Sequence, residues 1–423
     1  MKTTGIITEY NPFHNGHAYQ INNIRQAGAD NIVTVMSGNF VQRGAPAFTD
    51  KYLRTKMALC GGADFVFELP VIYATASAGL FALGGVSMLD SLGFVDSICF
   101  GSECDDIDIL NMAADITLTY DYEFNSEINN FIKSGISYPK ARHMAIKKYL
   151  HKDADKICQV LENPNNILAI EYLKALKLLK SNIRPFVIKR CDNGYNNTDY
   201  KGITGNFASA SAVRNAFAVE KEPLKIVSNF LPESTLKILA QNIDRININE
   251  NMFSNLLYYK LRNMLNTSNN IETIDSFTKF LDVSDMLANR IINKLDSYSS
   301  FTEFIKMLKT KDYTYSRISR SLLHILLDIH KDSLNITKNS LNSYQITPYA
   351  RLLGMNKNKS SMLRDVKQTT LITKTANAVK KLDSYSRQMF EKDIFAADIY
   401  RQTTSQNSKN SCPDEYRAGI IIL

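Results

Sequence analysis

Two histidines three residues apart, His14 and His17, stand in the run Thr8-Glu9-Tyr10-Asn11-Pro12-Phe13-His14-Asn15-Gly16-His17, near the start of a chain of 423 residues. On a helix that spacing puts both rings on one face. The apolar run Gly5-Ile6-Ile7 before them predicts a buried parallel strand. After them, Ala18-Tyr19-Gln20-Ile21-Asn22-Asn23-Ile24 carries apolar residues at helical intervals, and Pro12 and Gly16 interrupt both patterns. A strand that turns at once into a helix brings the helix's free amides, and the positive end of its dipole, to the carboxyl edge of the sheet. That corner is an anion site. Imidazoles beside it are placed to donate to phosphate oxygens as negative charge builds during transfer. Two other readings compete. A His-x-x-His pair can hold a metal, but zinc normally takes at least three protein ligands and no third stands nearby. The pair can also be two surface histidines at a helix start. That accounts for the spacing, but not for the strand, the Pro-Phe turn, the glycine and both rings occurring together. The chain has no P-loop and no dinucleotide-type glycine fingerprint, so it lacks the common glycine-rich loops that bind phosphate.

Strands and helices alternate through the first 220 residues. Asn31 to Met36 reads as a second strand emptying into the loop Ser37 to Gly44, followed by a helix bearing Lys51, Arg54 and Lys56. Asp64 to Leu69 is a third strand stopped by Pro70, Ala74 to Leu92 a helix of small residues, and Val95 to Phe100 a fourth strand ending at Gly101-Ser102-Glu103. Runs this apolar predict a parallel sheet covered on both faces, with ligands beyond the carboxyl ends of its strands. The opening motif, the Ser37–Gly44 loop and Gly101 all fall at that edge. Asn163-Pro164-Asn165-Asn166 precedes a helix from Ile167 to Lys180, where an Asn is first of all a capping residue. The strand Phe186-Val187-Ile188 ends in Lys189-Arg190, again at the ligand edge. Ala208 to Arg214 is a small polar helix start. By itself it is equally an ordinary Ser cap with a surface Arg.

From 221 to 335 the periodicity is helical. Lys309, Lys311, Arg317 and Arg320 mix with Tyr313 and Tyr315, and Arg317, Arg320 and His324 are expected on one face, away from Ile318, Leu322 and Ile325. Ser340 to Pro348 is a linker candidate. Residues 345–423 read as a small α/β unit with strands at Ala350–Gly354 and Thr370–Thr373 and a basic patch of Lys357, Lys359, Arg364 and Lys367. The last stretch, Ser405 to Asp414, is polar. Net charge is +8, yet residues 301–390 alone hold 16 Lys and Arg against 6 Asp and Glu, which points to a polyanion-binding surface rather than only a solvated face. Cations of this kind neutralise phosphates, and tyrosines stack on unpaired bases, although the tyrosines serve equally well as core residues.

Neither an N-terminal basic-then-apolar segment nor an apolar run of the ~18 residues needed for a membrane helix is present, so a cytoplasmic location is expected. The six cysteines (Cys60, Cys99, Cys104, Cys158, Cys191, Cys412) form no Cys-x-x-Cys pair and are expected to be reduced.

His14-Asn15-Gly16-His17 resembles the His-x-Gly-His motif of the nucleotidyltransferase superfamily. The run from Gly5 to His17, together with Met36-Ser37-Gly38-Asn39-Phe40-Val41-Gln42-Arg43-Gly44, resembles the bacterial tRNA(Met) cytidine acetate ligases. The resemblance implies an α/β fold: a Rossmann-like, parallel-sheet nucleotidyltransferase domain over residues 1–220. An α-helical, tRNA-binding domain (221–335) and the small basic unit (345–423) would follow. It implies a ligase that makes acetyl-adenylate from ATP and acetate, with Mg²⁺ and no permanently bound cofactor. The acetyl group would pass to the exocyclic amine of the wobble cytidine of elongator tRNA(Met), with no membrane and no obligate protein partner. His14 and His17 would be catalytic. ATP would be held by Ile7, Thr8, Glu9, Tyr10, Asn11, Pro12, Phe13, His14, Asn15, Gly16, His17, Ala18, Tyr19 and Gln20, and by Gly101, Asn165 and Arg190. Gly101 would let the adenine approach closely. Ala208 to Arg214 would bind the distal phosphates, and Lys309, Lys311, Arg317 and Arg320 would bind RNA. Ala45 and Ala169 stand where relatives usually carry Glu and Gly. A small-molecule nucleotidyltransferase acting on a cofactor precursor, or a non-catalytic RNA-binding protein with a nucleotide fold, would retain the first domain without this reaction.

Overall fold

Apolar runs without polar alternation cannot leave a face in water, and in this chain they become neighbouring strands of one covered sheet. The computed structural model describes residues 2–119, 121–134, 136, 138–149, 153–190, 205–267, 272–311, 313–334, 346–405 and 412–423. Cys191, positions 340–345 of the linker candidate and positions 406–411 of the polar tail lie outside the described residues. Strands β1 (Thr3–Thr8) and β2 (Asn31–Ser37) pair in parallel over six residues. A short hairpin, β3 (Phe40–Val41) and β4 (Ala45–Pro46), forms from the loop after β2. Strand β5 (Phe65–Leu69) lies parallel to β2, and β6 (Ser97–Ser102) lies parallel to β1 on its other side. Strand β7 (Arg184–Lys189) extends the sheet beyond β6. The strand order thus reverses between β1 and β6, and such a switch point opens a crevice at the carboxyl ends of the strands.

The C-terminal segment departs from expectation. Its strands form no separate unit. Strand β8 (Tyr349–Met355) runs antiparallel along β5, and β9 (Thr370–Ile372) and β10 (Ile421–Ile422) pair with β8 in turn. All five residues of β5 and all seven of β8 are buried, so either strand left as an edge would strand its amides and carbonyls in an apolar setting.

The join between the two ends of the chain is ionic and buried. Helix α1 spans Asn15–Gln26 and helix α2 spans Lys51–Cys60, the latter capped by Asp50 Oδ1, which accepts from Tyr52 N and Leu53 N. Lys51 Nζ donates to Glu68 Oε1 at 2.7 Å and to Glu415 Oε2 at 2.9 Å. Arg351 meets the same two carboxylates at 3.0 and 2.5 Å. None of these side chains is more than 5% exposed.

The helical region packs on the loop after β2. The helix Tyr315–Leu326 sends Ser319 Oγ to Gly44 O at 2.8 Å. Gly44 has φ +78°, and a Cβ there would fall 2.3 Å from Arg320 N, so only glycine fits. No helix among the described residues is long and apolar enough to cross a membrane.

Lys51 and Arg351 hold the Glu415 carboxyl down at about pKa 2 although burial alone would raise it. A carboxylate depressed in the folded state stabilises above its unfolded pKa and loses that contribution as pH falls through the folded value. Glu415→Ala is expected to cost about 3 kcal/mol at pH 7, because it leaves two buried cations short of an acceptor. In denaturant titrations the gap between variant and wild type should narrow as pH drops from about 4.5 toward about 2.

Candidate active site at the switch point

The first turn of α1 is closed by its own histidines. His14, in extended conformation, is the N-cap, and its Nδ1 accepts from Gly16 N at 3.0 Å. In return His17 Nδ1 accepts from His14 N at 3.2 Å. This is a capping box in which imidazoles replace the usual hydroxyl and carboxylate. With Nδ1 spent as an acceptor, each neutral ring carries its proton on Nε2. The rings stack with centroids 3.7 Å apart. Tyr10 and Phe13 close on His17 at 4.7 and 5.5 Å. Burial, then the neighbouring charges of His14 and Arg190, push the His17 pKa well below its ordinary 6.5. His17 is therefore a neutral hydrogen-bond donor at physiological pH.

Both histidines line a cleft at the carboxyl edge of the sheet. From α1 it takes His14, Gly16, His17, Tyr19 and Gln20; from the end of β6, Gly101; from the end of β7, Ile188, Lys189 and Arg190. Phe207 and Ala208, just before the helix Ala210–Val219, form the remaining wall, and Phe207 meets Tyr19 edge to face at 5.8 Å. Nothing in the sequence marked Phe207 or Ile188, since an apolar residue beside a cleft and one in a core look the same before folding. A Cβ on Gly101 would lie 3.2 Å from Arg190 Cγ, so the arginine stem runs close over this glycine. Asn165 lies behind Arg190 and accepts from Nη1 at 3.3 Å.

The rest of the run from Ile7 to Gln20 builds the corner. Ile7 is in the core beneath the helix Ala78–Ser91, and Tyr10 and Phe13 are at most 1% exposed. Thr8 Oγ1 accepts from Tyr10 N, and Glu9 Oε1 accepts from Gln42 N, which braces the β3–β4 loop. Asn11 Oδ1 accepts from Phe48 N, and Asn11 O, before Pro12, accepts from Arg214 at 2.6 Å. Asn15 Nδ2 donates to Asn206 O and Asn229 O, and Ala18 is half-buried on α1. Ser209 caps its helix through Ala212 N, so the Ser cap expected at this helix start is present. Its partner Arg214 is drawn to the histidine motif rather than to the surface. Arg54, read from the sequence only as a basic residue near the start of its helix, is fully buried and donates to Glu9 O and Ser37 O, tying the motif to the loop.

The expected cationic face of the helix Tyr315–Leu326 is only partly there. Lys309 and Lys311 are exposed, and Arg317 lies over the Tyr313 ring at 4.8 Å. Arg320 is 12% exposed and bound to Asp282 at 2.8 Å. His324 is buried between Leu281 O and Thr75 O, at 2.9 and 3.0 Å. Helical periodicity placed these residues on one side, but segments around residues 75 and 282 cover that side. The patch after β8 (Lys357, Lys359, Arg364, Lys367) follows the end of β8 that pairs with the start of β5. It therefore sits at the amino edge of the sheet, opposite the cleft.

No group of three or more His, Cys, Asp or Glu among the described residues could hold a metal ion. The described cysteines are unpaired thiols, as expected.

The family model for HIGH Nucleotidyl Transferase matches residues 1–415. The chain is 40% identical over 408 residues to the tRNA(Met) cytidine acetate ligase of Thermoanaerobacter sp. (strain X514), which covers 95% of each chain. It is 42% identical over 397 residues to the protein of the same name from Clostridium kluyveri (strain NBRC 12016), covering 90% of this chain and 93% of that one. Among solved structures it is similar to apo Thermotoga maritima TmcAL (form I), with TM-score 0.88. It is also similar to TmcAL bound with alpha-thio ATP (form II), with TM-score 0.85. Each is 30% identical, with both chains covered in full.

The tautomer can be tested directly. Nitrogen NMR of the ring should find His17 neutral, protonated on Nε2, at pH 6.5 and one unit below, where an unperturbed imidazole would be mostly charged. An imidazolium signal for His17 at pH 6 would contradict the geometry.

Proposed function

The chain belongs to the HIGH nucleotidyltransferase family, and from that membership we propose that it is an ATP-dependent tRNA(Met) cytidine acetate ligase. The observation that carries this reading is the pair of reciprocally capped, stacked histidines lining the switch-point cleft. In the first step the acetate carboxylate attacks the α-phosphorus of ATP, forming acetyl-adenylate and releasing pyrophosphate. This attack needs no protein nucleophile. It needs alignment, and donors aimed at the oxygens where charge accumulates. The Nε2–H groups of His14 and His17 supply those donors, at the positive end of the α1 dipole. Arg190, held over Gly101 and backed by Asn165, adds a fixed cation for the nucleotide, and the segment from Ala208 to Arg214 is the one assigned to the distal phosphates. Mg²⁺ would enter with ATP as part of the substrate.

In the second step the exocyclic amine of the wobble cytidine of elongator tRNA(Met) attacks the acetyl carbon, and AMP leaves. The mixed anhydride hydrolyses if water reaches it, so the cleft must close over it. Of the four cations expected to bind RNA, Lys309, Lys311 and Arg317 are left to meet phosphates, while Arg320 is committed to Asp282. The reaction draws on ATP and tRNA, which fits a cytoplasmic enzyme, and neither step calls for a partner protein.

Incubation with ATP, labelled acetate and elongator tRNA(Met) should place label in the RNA. A small-molecule nucleotidyltransferase or a non-catalytic RNA binder would leave the RNA unlabelled. His17→Ala should lower the single-turnover rate of acetyl-adenylate formation by about 10²-fold or more, with ATP affinity changed far less. An unchanged rate would refute the role given to the ring. Lys309→Ala with Lys311→Ala and Arg317→Ala should weaken tRNA binding and flatten its salt dependence by up to about three phosphate contacts. Acetate-dependent ATP–pyrophosphate exchange should be left intact. Loss of exchange in that triple variant would argue against a separate RNA surface.

A further inference from the structure

We infer that Glu103 is a positioning residue of the nucleotide cleft, which fixes the Arg190 guanidinium through the side-chain amide of Asn165. The inference rests on the reading of Asn165 and Arg190 as part of the ATP site. Glu103 follows β6 directly, is half-buried, and does not itself line the cleft. Its Oε1 accepts from Asn165 Nδ2 at 2.5 Å and its Oε2 from Asn166 N at 2.9 Å. On the far side of the amide, Asn165 Oδ1 accepts from Arg190 Nη1.

The neighbouring asparagine does a different job. Asn166 Oδ1 accepts from Ser102 Oγ at 2.6 Å and from Cys104 N at 2.9 Å, while its Nδ2 donates to Val160 O. These contacts fasten the turn after β6 to the start of the helix Pro164–Leu178, so Glu103 is presented from a fixed backbone. Asn165 is then the variable part, and chemistry leaves it one orientation. A carboxylate only accepts and a guanidinium only donates, so the amide between them must turn its nitrogen to Glu103 and its oxygen to Arg190. The stem of Arg190 is set by its passage over Gly101, and its head by this amide.

Reversing the polarity of the chain of contacts tests the idea without changing its size. In Glu103→Gln, Asn166 N still requires an oxygen, so the new amide turns its nitrogen toward Asn165. Asn165 must flip to accept, which leaves two sets of donors facing each other at Arg190. Asn165→Asp alone sets two carboxylates in contact. The double variant Glu103→Gln with Asn165→Asp restores the order, because the Gln donates and the Asp accepts from both neighbours.

In acetate-dependent ATP–pyrophosphate exchange with the full chain, Glu103→Gln should raise KM for ATP about tenfold, with kcat changed less than about threefold. The double variant should return KM to within about threefold of wild type, while Asn165→Asp alone stays at least as impaired as Glu103→Gln. A KM for Glu103→Gln within about twofold of wild type, or a double variant no better than the singles, would overturn the inference. If thermal melting shows that Glu103→Gln does not fold, recovery of folding and of ATP-dependent exchange in the double variant still supports it, and failure of the double overturns it. A wild-type protein without exchange would overturn the functional reading itself, and this inference with it.

Discussion

The two hydrogen bonds exchanged within the first turn of α1 are the constraint on which the site depends. A helix start has orphan amides that need acceptors, and a carboxylate cap would supply one without offering a donor to a substrate. Using His14 Nδ1 and His17 Nδ1 as the acceptors satisfies the same backbone groups while assigning the remaining proton of each ring to Nε2. The helix is thereby capped and two donors are oriented by one arrangement. Enclosure by Tyr10 and Phe13 then keeps His17 neutral, so that it donates without presenting a buried charge that would have to be compensated when the cleft is empty.

Such a corner has to be held still, and most of the surrounding residues do that. Arg54 and Glu9 tie the motif to the loop after β2, Arg214 ties it to the Ser209 helix, and Asn11 ties it to Phe48. Residues that a motif would assign wholesale to the ligand thus divide in two. His14, Gly16, His17, Tyr19 and Gln20 line the cleft, while Ile7, Tyr10, Asn11 and Phe13 are buried beside them. The ionic cluster of Lys51, Glu68, Arg351 and Glu415 serves the same end at longer range, closing the sheet with strands from the C-terminus. A paired cluster of this kind specifies which strand takes the edge, because any other arrangement leaves a charge buried alone.

Much of this was legible before folding. Strands β1, β2, β5, β6 and β7 announce themselves as apolar runs without alternation, and their carboxyl ends carry the glycine, the histidines and Lys189-Arg190. Where reasoning from periodicity failed, it failed for one reason. The helix Tyr315–Leu326 has the amphipathic pattern expected of it, but the pattern says nothing of what approaches its polar side. Asp282 claims Arg320, and Leu281 and Thr75 claim His324. The basic residues after β8 were likewise visible as a patch, yet only the antiparallel pairing of β8 with β5 sends them to the edge opposite the cleft.

The sequence by itself determined the local events: the strand-to-helix turn, the spacing of the imidazoles and the apolar content that demands a covered sheet. These follow from backbone sterics and from the periods of helix and strand, which act over a few residues. Tertiary structure alone decided which cations stay available, and that Glu103, Asn165 and Arg190 form one line of contacts. That line joins groups 62 and 25 residues apart in the chain at hydrogen-bond distance, and no local pattern records which partner arrives.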